Sequence, residues 1–241
     1  MNGVAALDRI RIVLSHPTHP GNIGAAARAM KTMGLSRLVL VNPTAFPDPV
    51  ADARASGAGD ILAAARVVAT LGEALEGTVF QAALTARRRE LSLPVAPARE
   101  AALEVVDFTR HGEVAVVFGT EMSGLSNEEL AYCQRPVTIP TNPGFSSLNL
   151  GAAVQLLCYE LRMACGVSLP ETAVGEPATF DEVEGFHGHL ERVMRRVEFF
   201  NPVTSRRLVP RLRRLFGRVR LERDEINILR GFLAAVEQKT D

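Results

Sequence analysis

The sequence has no tryptophan and only two tyrosines, Tyr132 and Tyr159, which excludes an extensive aromatic platform for stacking bases. Cysteine is scarce too: Cys133, Cys158 and Cys165 form no Cys-x-x-Cys. An odd, scattered set argues against a disulfide framework or zinc site and for buried small hydrophobes. His16-x-x-His19 is flanked by Pro17 and Pro20, without the neighbouring thiol or carboxylate that a metal site needs. No apolar run approaches the about 18 residues of a membrane span. Asp8, Arg9 and Arg11 stand in the first strand-like region, where a signal peptide would be apolar. The expectation is a soluble cytoplasmic protein that binds neither membrane nor metal.

Nucleotide motifs are missing as well. No strand is followed by Gly-x-Gly-x-x-Gly, and the spacing of Gly119 and Gly124 fits a P-loop only until Leu125, where a lysine belongs. There is no Gly-x-Ser-x-Gly elbow. Net charge is also lacking, with 27 basic and 27 acidic side chains. Its distribution is uneven, however. From Arg192 to Arg220 the chain carries Arg192, Arg195, Arg196, Arg206, Arg207, Arg211, Arg213, Arg214, Arg218 and Arg220 against the single acid Glu198, the electrostatic footprint expected for a phosphate backbone.

What remains is a chain of 241 residues with 47% hydrophobic content, enough for a substantial core. Residues 9–14, 38–41, 80–85, 114–118 and 137–139 read as strands, and 66–68 as a short one. Between them lie helical stretches, including one that Asn22 is placed to cap and Gly34 to stop, an alanine-rich stretch over 51–65 broken at 56–59, and one over 99–109. Continuous apolar strands alternating with helices predict an α/β fold with a mostly parallel sheet covered on both faces. Residues 167–179 have linker composition, and 180–199, 205–216 and 223–238 read as helices of a small C-terminal module. The expected domains are therefore 1–166, a linker 167–179, and 180–241.

In open α/β sheets ligands bind beyond the carboxyl ends of strands. Three such ends stand out here: Asn22-x-Gly24-x-x-x-Arg28, Gly119-x-Glu121-x-x-Gly124, and Ser147-Leu148-Asn149 opening the apolar helix that follows. In this order the three resemble the motifs of the 2′-O-ribose members of the SPOUT superfamily of RNA methyltransferases. A closer likeness, to members that methylate cytidine and uridine riboses in tRNA, extends through Ala25-Ala26-Ala27-Arg28-Ala29-Met30, Val41-Asn42-Pro43, Leu125-Ser126-Asn127-Glu128-Glu129-Leu130 and Asn142-Pro143. It reaches into the tail at Leu212-Arg213-Arg214-Leu215-Phe216 and Ile228-Leu229-Arg230-Gly231. One departure is Thr120, where the family often has arginine.

The resemblance implies features that periodicity does not give. The C-terminal part of the α/β unit would be tied in a deep trefoil knot, with S-adenosylmethionine bent among its loops and a homodimer as the working form. Carried over by position, cofactor contacts fall on Thr85, Ala86, Arg87, Gly119, Ile139, Ser146, Ser147 and Leu148. Arg28, Ser147 and Asn22 are the expected catalytic residues, while Asn149, Arg213, Arg214 and Arg230 would meet the tRNA. Glu121 would brace the knot by accepting backbone hydrogen bonds. The implied activity is methylation of the 2′-hydroxyl at cytidine or uridine 32 of the anticodon loop. A non-catalytic knotted RNA-binding protein is the alternative, and the arginine stripe disfavours a small-molecule nucleotide enzyme.

Overall fold

The computed structural model describes residues 3–85, 94–166 and 175–239. Seven strands form one parallel sheet in the order β3-β2-β1-β6-β4-β7-β5. They are β1 (Ile10–Ser15), β2 (Arg37–Val41), β3 (Arg66–Val68), β4 (Thr78–Leu84), β5 (Ala96–Pro97), β6 (Glu113–Phe118) and β7 (Arg135–Thr138). The central β1, β4 and β6 are buried nearly throughout, as their unbroken apolar runs require in a sheet covered on both faces. The short β5 pairs with β7, through Ala96 and Pro97.

The helices of the α/β unit are α1 (Gly3–Leu7), α2 (Pro20–Met33), α3 (Pro49–Ala55), α4 (Gly59–Ala63), α5 (Leu71–Leu75), α6 (Ala98–Phe108), α7 (Asn127–Ala131) and α8 (Leu150–Ala164). One face of the sheet packs Ile12, Leu14, Phe80 and Phe118 against α2, α6 and α8. The other packs Val13, Val39 and Val117 against α5 and against Phe180 of the tail. The start of α2 corrects the expectation for Asn22. His19, not Asn22, is the cap, its ring Nδ1 accepting from the Gly21 amide at 3.0 Å. Pro20 then occupies the first turn, where a missing N–H costs nothing. Gly34 ends this helix at φ 84°, a left-handed position that suits glycine.

The tail folds as α9 (Phe180–Arg196), α10 (Leu208–Val219) and α11 (Arg223–Lys239) around Phe186, Val193, Leu221, Ile226 and Leu233. Thr179 caps α9 in a reciprocal box with Glu182, which fixes where the helix begins. The tail is not loosely attached. Arg220 pairs with Glu104 of α6 and lies over the Phe80 and Phe108 rings at 5.7 and 5.8 Å, while Glu104 also takes Arg135 at 2.6 and 3.2 Å.

Candidate active site

Strands β4, β6 and β7 end side by side, and the segments that leave them enclose one cleft. Its walls include Leu84, Thr85, Phe118, Ile139 and Leu148, the 119–125 loop, Ser146, Ser147 and, from α8, Leu150 and Ala153. Six of the eight expected cofactor positions, Thr85, Gly119, Ile139, Ser146, Ser147 and Leu148, are thus brought together. Ala86 and Arg87 lie outside the described residues. Among the described residues of the lining, five side chains are hydroxyls and none is cationic. Its apolar walls with hydroxyls among them suit a ligand that has an apolar ring system and polar substituents.

The 119–124 loop is folded on itself. The Gly124 amide donates to the Thr120 carbonyl at 3.0 Å, and the Thr120 and Ser123 hydroxyls are 2.8 Å apart. A Cβ on Gly119 would fall 2.2 Å from the Gly124 carbonyl carbon and 2.3 Å from the Leu125 nitrogen, so nothing larger closes this turn. Thr120, in the position where the family often has arginine, serves that closure from within.

Glu121 joins this loop to the first. Its carboxylate accepts from the Thr18 amide and hydroxyl at 3.0 and 2.8 Å, from the His19 amide at 3.2 Å, and from Asn22 Nδ2 at 2.9 Å. Partial burial raises the carboxyl pKa, but the donors from Asn22 and Thr18 outweigh it and hold the value at about 2. Asn22 Oδ1 accepts in turn from Asn149 Nδ2 at 2.9 Å, and Asn149 Oδ1 caps α8 through the Gly151 amide at 2.9 Å. The three stretches singled out in sequence are therefore one hydrogen-bonded chain, Glu121 to Asn22 to Asn149. Asn22 and Asn149 hold loops together here. A second glutamate acts beside them: Glu129 of α7 accepts from Ser15 and lies 3.7 Å from His16.

Arg28 is elsewhere. It is exposed on α2 and lines a shallow depression with Ala25, Thr32, Arg54, Ser56, Gly151 and Gln155, separated from the cleft by the first turn of α8. Within one chain, then, Arg28 and Ser147 are not brought together.

The arginine stripe is partly used internally. Arg213 makes a double hydrogen bond to Glu184 at 2.5 and 2.8 Å and lies 5.5 Å over the Tyr132 ring. A forked pair of this kind occupies the guanidinium that is expected to face substrate. Arg192, Arg195 and Arg220 pair with Glu237, Glu191 and Glu104. Arg214 buries its Nε without a partner. Arg206, Arg207, Arg211 and Arg218 are exposed, as is Arg230, and none of the five has an ion pair among the described residues. Also among the described residues, no group of His, Cys, Asp and Glu could hold a metal ion, and no helix is long and apolar enough to cross a membrane.

Residues 9–159 match the model of the SpoU rRNA Methylase family. The chain belongs to that family. Residues 181–241 match the C-terminal domain of the tRNA methyltransferase TrmJ, so the likeness extends past the SpoU methylase unit into the tail. The chain is 49% identical to the tRNA (cytidine/uridine/adenosine-2′-O-)-methyltransferase TrmJ of Pseudomonas aeruginosa, covering 96% of this chain and 95% of that protein. It is 47% identical to the tRNA (cytidine/uridine-2′-O-)-methyltransferase TrmJ of Cronobacter sakazakii, covering 96% and 97%. Among solved structures, TrmJ from Z. mobilis superposes with a TM-score of 0.84 at 36% identity, over 94% of this chain and 98% of that one.

Sequence reasoning had missed Thr18 and His19, which hold Glu121 through their amides and the Thr18 hydroxyl and cap α2 through the His19 ring, contacts that no pattern marks.

Proposed function

We propose that this SpoU methylase transfers a methyl group from S-adenosylmethionine to a ribose 2′-hydroxyl of tRNA, at cytidine or uridine 32 of the anticodon loop. The observation that carries the reading is the cleft itself: three loops locked by Glu121, Asn22 and Asn149 around an apolar lining edged with hydroxyls, in a chain alike end to end to tRNA 2′-O-methyltransferases. When bound, the cofactor supplies an electrophilic methyl on a sulfonium that departs as a neutral thioether, so no oxyanion hole is called for.

The chain's own residues have three tasks. Leu84, Phe118, Ile139 and Leu148 offer apolar walls for an adenine ring, with backbone groups at Thr85 and Gly119 and the Ser146 and Ser147 hydroxyls to orient the rest. Arg28 positions the hydroxyl and steadies the alkoxide that develops as its proton passes to water; a guanidinium is a poor base. Because Arg28 opens away from its own cleft, it would serve the cleft of a second copy. Exposed Leu156, Tyr159 and Met163 on α8, with Phe145 and Leu148 of the preceding loop, support a homodimer built there. The deep trefoil knot is part of the proposal and rests on the family and on the path from β7 through 139–149 into α8. So is the division of labour, with 1–166 for chemistry and 180–241 for holding tRNA through Arg206, Arg207, Arg211, Arg218 and Arg230. No membrane and no metal enter the scheme, and the setting is the cytoplasm.

The test is incubation of purified protein with unmodified tRNA and S-adenosylmethionine in the presence of a chelator, followed by nuclease mapping and mass spectrometry. A 2′-O-methyl group at nucleotide 32 is expected. Binding of tRNA without consumption of S-adenosylmethionine would overturn the proposal in favour of a non-catalytic binder.

A further inference from the structure

The depression that Arg28 lines contains a second arginine with no role so far. Arg54 sits on α3, exposed, and lines the same concavity as Arg28, with Thr32, Ser56 and Gln155. No carboxylate lines it, and neither arginine has an ion pair among the described residues. This is not the habit of the neighbourhood. Lys31, one turn along α2, donates to Asp60 at 2.8 Å and to the Gly57 carbonyl at 2.9 Å. Asp52 lies two residues before Arg54, about 200° around the helix, and does not line the depression.

The walls are fixed by close backbone approach. A Cβ on Gly24 would fall 2.1 Å from the Ala51 carbonyl oxygen, and one on Gly151 would fall 2.7 Å from the Ala25 Cβ. Helices α2, α3 and α8 therefore meet with no slack beneath the two arginines. The α8 N-terminus adds the partial positive charge of its first turn. Two like charges held over one rigid concavity repel each other, and an anion between them relieves that repulsion. On the far side of the same α8 turn, Leu150 and Ala153 line the cleft.

We infer that Arg54 and Arg28 together seat a backbone phosphate of the bound RNA next to the target ribose, with Arg54 as a positioning residue. This rests on the methyl-transfer reading for the identity of the neighbouring ribose, but not for the presence of the phosphate seat. An arginine matches phosphate with its planar fork in a way that lysine does not.

Arg54→Ala, Arg54→Lys and Lys31→Gln would be compared with the full-length parent protein in tRNA binding across a salt series and in methyl transfer. Arg54→Ala should raise the KM for tRNA about tenfold or more and flatten the slope of log affinity against log salt by roughly 0.7 to 0.9, one phosphate contact's worth. Affinity for S-adenosylmethionine and the melting temperature should stay put, and Arg54→Lys should recover the salt slope but only part of the KM. Lys31→Gln removes a charge already neutralised by Asp60, so it should change neither. A parental slope and KM in Arg54→Ala would overturn the inference. So would an equal loss in Lys31→Gln, which would mean that any charge on this face acts alike. If the parent binds tRNA but transfers no methyl, the proposed function fails while the salt series still decides the phosphate seat.

Discussion

Glu121 offers the sharpest test of how the three loops are held. Replacing it by Gln keeps the shape of the side chain, removes the charge, and turns one of two acceptor oxygens into an amino group. That group would face some of the four donors now supplied by Thr18, His19 and Asn22. A carboxyl pKa drawn from 4.5 to about 2 corresponds to roughly 3 kcal/mol at full strength. The group is part-exposed, and solvent screening reduces this to about 1.5–2 kcal/mol. The sign follows from the depressed value. The folded state binds the proton less readily than the unfolded chain, so this stabilisation is fully present above pH 4.5 and fades as the pH falls toward 2. At about 2–4 °C per kcal/mol for a chain of this size, Glu121→Gln should melt about 3–8 °C below the parent at pH 7. The gap should narrow steadily in calorimetric scans at pH 5, 4 and 3. Equal melting at pH 7, or a gap that does not change with pH, would refute the assignment of Glu121 as a charged tie between loops.

Three further outcomes are expected. Gly119→Ala should abolish S-adenosylmethionine binding in calorimetry with little loss of sheet content by circular dichroism, because the Cβ collides with the backbone of the cleft's own loop. Glu104→Gln leaves Arg135 and Arg220 partly buried and facing each other; a stability loss of about 2–4 kcal/mol and faster amide exchange in α9 to α11 should follow, and unchanged exchange there would remove Glu104 as the anchor of the tail. Burial pushes the thiols of Cys133 and Cys158 up to about 12, with Glu129 adding to the effect at Cys133, so thiol reagents at pH 8 should label half-buried Cys165 first and reach the other two only on unfolding.

The parts of the fold legible in the sequence are those whose cause is local. The apolar runs of β1 and β6, the stop at Gly34 and the polar opening of α8 at Asn149 each carry their reason within a few residues. Elements held by distant partners did not show. β5 is two residues long and exists through β7, and α5 is a single turn capped by Thr70, too short to display a period. The cap of α2 was misplaced because a histidine ring took the role usual for Asn22. At the site, the loops were visible as turn chemistry, but the bonds among them were not. Glu121 meets its partners about 100 residues away. The arginine stripe read as free charge because its carboxylates, Glu184, Glu104 and Glu237, lie on other elements.

The strand order has a consequence for a chain emerging from the ribosome. β1, β2 and β3 neighbour one another and can pair as soon as residue 68 has appeared. β4 cannot. Its two neighbours, β6 and β7, begin at Glu113 and Arg135, so an apolar strand with both edges unsatisfied must wait for some 30 further residues at least. Such an interval invites pairing with the wrong partner. The cleft waits longer still, because its wall includes Ala153, and a ligand can stabilise only what has formed. Until α8 has been made and has settled on α2, the growing chain has no pocket through which S-adenosylmethionine could assist its folding. On the proposed function, supply of that molecule should therefore affect the yield of native protein only after release of nearly the whole α/β unit.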